Sequence, residues 1–187
     1  MSNFRFIKGQ SLYTGNFTPA TAPLNITSVG TTGANVAASI TGTVSLLTCQ
    51  DDKFIDKSPT ALPITAATAT VKPVPVSPFS ITANTASSYS ANTLGGSMYF
   101  DGTGDYLQVA TNINHGSLGY SDFTLEFWFN HTNVSGTQYL VSHRVGAYVP
   151  FLFWTATGTL TYYVSSNNGS WDLKNGTSLG TIVPGQW

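Results

Sequence analysis

Residues 95–110 read "GGSMYFDGTGDYLQVA", two short apolar runs around a knot of glycine and aspartate. Three chemistries crowd glycine and acid in this way: a phosphate cradle, a calcium loop and a reversing turn. A phosphate loop carries Lys and then Ser or Thr directly after its glycines, and "DGTGDYL" has neither. The dinucleotide form opens a helix after G-x-G-x-x-G, whereas Gly102 and Gly104 lead into strand-like "DYLQV". An EF-hand loop needs acids at fixed steps and a closing Glu, which this stretch lacks. Two readings remain. One is a hairpin turn, with Asp accepting local N–H bonds and Gly at positive φ. The other is a looser calcium site on Asp101 and Asp105.

Outward from the knot the chain reads as strands. "DFTLEFWFN" (122–130) alternates strictly, with Phe123, Leu125, Phe127 and Phe129 on one face and Thr124, Glu126, Trp128 and Asn130 on the other. "QYLVSHR", "PFLFWTA" and "TLTYYVSS" follow, separated by turn residues, and no stretch carries a helical period. Short strands at regular spacing with turns between them predict an all-β sandwich or jelly roll. Upstream, "FRFIKGQSLYTGNF" (4–17) reads as a strand, a Gly break and a second extended piece. Residues 25–43 are small and polar, "TVSLLTC" (43–49) is a buried-strand candidate, and "KPVPVSPF" (72–79) has too much proline for a central strand. These shifts divide the chain into an extended N-terminal arm and linker, 1–43, and a β-sandwich, 44–187.

Charge narrows the function. Only 8 % of the 187 residues are charged, the net charge is −1, and the seven Lys and Arg form no basic stripe. Soluble domains average about 25 % charge. Nucleic acid is therefore not an expected partner. No apolar run is long enough to span a membrane, and the start lacks the apolar segment of a secretory signal. If the protein works outside a cell, it is expected to leave by another route, such as lysis or packaging in a particle. The single Cys49, in an apolar run, reads as a buried thiol.

Catalysis finds little support. Glycoside hydrolysis needs two carboxyl groups about 5–10 Å apart. The only glutamate, Glu126, has Thr124 and Trp128 as its same-face neighbours. No nucleophile elbow is present, and His115, His131 and His143 sit in or near turns without close pairing. Sugar binding is better provided for. Tyr148, Trp154, Tyr163 and Trp171 fall in or beside turns, with Asn167, Asn168 and Asp172 at hand for hydrogen bonds. The other reading of these rings is sandwich core or subunit interface.

"SLLTCQDDKFIDKS", "GGSMYFDGTGDYLQVA", "DFTLEFWFN", "YLVSHR" and "VPGQW", in that order, carry a resemblance. Over most of residues 44–187 the chain resembles the concanavalin A-like, laminin G-like jelly roll of structural proteins of tailed phages, cyanophages especially. In that family further strands follow the closing "GQW", so the resemblance implies a sandwich incomplete at its C-terminal end. Residues 4–24 look like the family's last strand and exit segment. Residues 4–17 are accordingly expected to pair with strand 44–49, in the same chain or a neighbour's, with Phe4, Phe6, Ile7, Leu12, Tyr13 and Phe17 as the anchor. The resemblance implies a non-enzymatic virion protein, in a tail fibre, tail appendage or head decoration, released by host lysis. Its partners would be other virion proteins, copies of itself in a homo-oligomer, and a host-surface glycan; no cofactor beyond the calcium candidate is implied. The alternative is a carbohydrate-binding module of a secreted bacterial adhesin or glycan-processing enzyme.

Overall fold

The computed structural model describes residues 1–79, 95–109, 121–142, 151–167 and 169–187. Among them the chain is all-β, with no helix. The strands are β1 (Ser2–Lys8), β2 (Thr43–Thr48), β3 (Ile64–Ala66), β4 (Lys72–Val74), β5 (Ser97–Tyr99), β6 (Leu107–Val109) and β7 (Phe123–Trp128). They continue as β8 (Thr137–Ser142), β9 (Phe151–Ala156), β10 (Thr159–Val164) and β11 (Lys174–Thr181). All pairings between them are antiparallel, consistent with a β-sandwich. Two compact units divide the chain: one holds β1–β7, the other β8–β11. That division falls at 129/130, whereas composition drew it at 43/44.

In the first unit β1 is the middle strand of a sheet ordered β2-β1-β7. Phe4 faces Thr48 and Phe6 faces Leu46 on one side, while Arg5 faces Glu126 and Ile7 faces Thr124 on the other. The expected pairing of residues 4–17 with 44–49 is present for residues 4–8 only, within one chain, while Tyr13 bridges Val36; the second neighbour of β1, β7, had no sign in the sequence. A strand flanked on both sides and covered on both faces buries both parities of its residues, and Ser2 through Ile7 are all buried. The segment between β1 and β2 has little regular structure yet supplies core. Leu12, Ala20, Leu24 and Val29 cluster with Ile7, Val44 and Leu47. The 9–42 segment is otherwise largely exposed, and it is Leu12, Ala20, Leu24 and Val29 that tie it to this unit's core.

Arg5, fully buried, holds that segment in place. Its Nε donates to Glu126 Oε2 at 2.7 Å, and its terminal nitrogens donate to the carbonyls of Asn25, Ser28 and Val29 at 2.7–2.9 Å. Tyr13 donates its hydroxyl to the second Glu126 oxygen. A buried ion pair is tolerable only when its remaining hydrogen-bonding groups find partners, and here they do. The strict alternation of β7 is real, but its polar face is the more deeply covered one. Thr124 is buried, accepting from Leu12 N and donating to Gln10 O. The phenylalanine face is half-buried, Phe123 and Phe127 meeting Phe6 and Phe4 at ring separations of 6.2 and 6.0 Å.

The hairpin expected across the "DGTGD" knot is not formed. β5 pairs with β4 and β6 with β3, so 64–74 runs antiparallel to 97–109 as an interrupted ribbon. The knot is instead a bend between β5 and β6 within that ribbon. Gly102 and Gly104 take φ of +87° and +72°, which glycine adopts at little cost. Asp105 accepts from the hydroxyls of Thr68 and Thr70 and from Asp101 N, tying the knot to the opposed loop.

Candidate functional site

The second unit is a four-stranded sheet ordered β11-β10-β9-β8. Its register sorts the side chains by face, because neighbours along a strand point to opposite sides. Phe151, Thr155 and Val164 are buried and share one face, where Phe153 stacks on Tyr162 at 5.7 Å. The other face carries Tyr139, Leu152, Trp154, Thr161 and Tyr163, none of them buried. Trp154 and Tyr163 thus lie within strands β9 and β10, on the less covered side of the sheet.

These rings form a continuous row. Tyr139 stands directly opposite Trp154, with ring centroids 5.8 Å apart. Trp154 meets Tyr163 at 5.7 Å, on the diagonal of the β9–β10 ladder, and Tyr163 meets Trp171 at 5.1 Å. Interplanar angles of 36°, 72° and 51° make the row twisted rather than flat. Tyr139, at one end, is 66 % exposed. The indole N–H of Trp154 is buried and meets no acceptor among the described residues.

Two features outside the rings build the row. β11 bulges opposite Tyr163, where Gly176 has φ +71°. A Cβ there would lie 3.1 Å from Tyr163 Oη and 3.3 Å from its Cζ, so glycine both makes the bulge and leaves room for the phenol. The loop that carries Trp171 is fixed by its own polar groups. Asp172 accepts from Ser166 N at 2.9 Å and from the Ser166 hydroxyl. These bonds, the hydroxyl's first, hold the carboxyl of Asp172 below its ordinary range. Asn167 Oδ1 accepts from the backbone N–H of Gly169 and Ser170. Asn167 and Asp172 therefore shape the loop.

The remaining candidates lie elsewhere. Tyr148 and Asn168, with His115 and His143, fall outside the described residues. His131 sits against Gln138 through its Nε2. Phe4, Phe6, Ile7 and Leu12 are core of the first unit, while Phe17 is largely exposed and stacks on Tyr13. Asp101 and Asp105 spend their carboxylates on the bend: Asp101 Oδ1 accepts from Thr103 N, and both Asp105 oxygens are engaged. Desolvation pushes the Asp105 carboxyl up, but the hydrogen bonds from Thr68, Thr70 and Asp101 outweigh it and leave it lowered. Among the described residues no three His, Cys, Asp or Glu side chains converge as metal ligands.

Tyr139 and Gly176 were missed by sequence reasoning. Tyr139 carries a signal in hindsight, since an aromatic one strand from "PFLFWTA" has a cross-strand ring within reach; Gly176 looks like any turn glycine. Comparison with protein-family models, curated proteins and solved structures finds no match.

Proposed function

We propose that this chain is a non-enzymatic structural protein of a tailed-phage virion, a concanavalin A-like jelly-roll module that attaches the particle to sugar on its host. The phage and jelly-roll parts of this reading rest on the motif resemblance across residues 44–187. The adhesive part rests on one observation, the partly exposed row of Tyr139, Trp154, Tyr163 and Trp171 on a sheet face that carries no charge among the described residues. Aromatic faces take up the C–H faces of sugars while hydroxyl groups beside them satisfy the sugar's polar edge. The engagement of Glu126 by Arg5 and Tyr13 supports a non-enzymatic role, since the one glutamate is spent on structure.

Gold-labelled antibodies raised against residues 95–187 test the reading on intact particles. Label on tail fibres or appendages is expected. Label over the head would replace adhesion with decoration of the shell. A protein that binds glycans yet labels no particle would be the alternative, a secreted carbohydrate-binding module.

A further inference from the structure

We infer that the row takes a single, uncharged glycan chain of at least three sugar units, laid across the strands from Trp171 to Tyr139, with Tyr139 as its terminal subsite. The inference rests on the reading of this face as a sugar-binding surface and adds the class of ligand and its direction.

Three observations carry it. The first is continuity. Each ring meets the next at 5.1–5.8 Å, and the row crosses from the β10–β11 connection through β10 and β9 to β8. A monosaccharide covers one ring or the join between two, whereas an extended chain covers the row. The second is twist. No neighbouring pair of rings is coplanar. The planar face of a packed polysaccharide would rest on one ring and stand off the others, while a single chain can turn about its glycosidic bonds to follow them.

The third is charge. Thr137, Ser142, Leu152, Ala156 and Thr161 share the face with the rings and are all neutral. Lys174 pairs with Val164 and so belongs to the opposite face. Asp172 has both oxygens committed to Ser166. A sulfated or sialylated chain would have its anions desolvated against rings with no cation on this face of the described residues to meet them. The hydroxyls of Thr137, Thr161 and Ser142 suit a neutral polyol instead.

The test uses the full chain on an array of immobilised neutral, sialylated and sulfated glycans from one to six units. The best binder's length series is then titrated calorimetrically. Affinity for a neutral linear glycan is expected to rise with each added unit, by about tenfold from the disaccharide to the trisaccharide, the gain one added stacking contact can supply. Tyr139→Ala, at a position too exposed to threaten folding, is expected to remove that last gain and leave disaccharide affinity unchanged. Full affinity for a monosaccharide, a preference for anionic glycans, or no effect of Tyr139→Ala at any length would each overturn the inference while leaving sugar binding intact. No binding to any glycan on the array would overturn the sugar reading itself.

Discussion

Cys49 closes β2 with a positive φ of 58°, its carbonyl accepting from Asn3 N and its thiol 2 % exposed. Burial is the main cause that raises the thiol from 9.0 to about 11. The thiol stays protonated in the fold at pH values where it ionises in the unfolded chain. Between pH 9 and 11 the unfolded state therefore binds fewer protons, and stability falls as pH rises. At pH 10.5 the loss from this group amounts to about 2 kcal/mol relative to pH 7.5. Tyr13, raised by burial and then by Glu126, adds a loss of the same sign above pH 10. Comparison with Cys49→Ala separates the two, because both proteins keep Tyr13. The wild type is expected to lose about 2 kcal/mol more than Cys49→Ala in urea unfolding between these pH values; equal losses would mean that the thiol is not desolvated. That Cys49 is buried was readable in "VSLLTC", since an apolar run predicts a covered neighbour. The bond from Asn3, 46 positions away in the chain, was not.

At the level of elements, the sequence disclosed strands well and their partners poorly. Alternation and turn residues located β1, β2 and β5 through β10, because a period of two is a local property. Pairing is not local. The runs flanking "DGTGD" look like the two arms of a hairpin, yet each found a different partner upstream. Alternation likewise does not say which face is covered. In β7 the Thr124–Glu126–Trp128 side lies under the 10–29 segment, because Arg5 and Tyr13 bring their own polar groups to meet Glu126. This staple between β1 and β7 has a measurable consequence. Glu126→Ala leaves a guanidinium buried without its counter-charge, and a loss of about 3–5 kcal/mol in denaturant unfolding is expected. The double variant Arg5→Met with Glu126→Ala should recover part of that loss, since it removes the stranded charge. A loss below about 1 kcal/mol would show that water or the neighbouring carbonyls solvate Arg5 unaided.

For the whole molecule, low charge is the property that ran from composition to site. The all-β class followed from short alternating runs at regular spacing with turn residues between them, and the candidate rings Trp154, Tyr163 and Trp171 were legible as residues. Their arrangement was not, because it depends on cross-strand register and on a bulge at Gly176 whose partner strand lies ten or more positions away. With 8 % charged residues and a net charge of −1, long-range electrostatic attraction has little to act through. A ligand held by ring faces and hydroxyls should therefore be insensitive to ionic strength. Raising NaCl from 0.1 to 1 M shortens the screening length from about 10 to about 3 Å, which abolishes attraction between exposed charges and leaves stacking intact. Affinity for a bound neutral oligosaccharide, and for host cells if the row mediates attachment, is expected to change less than about twofold across that range, with any change toward tighter binding as salt strengthens apolar contact. A fall of tenfold or more would place charged groups in the contact and move attention from this sheet face to the opposite one, which carries Lys174.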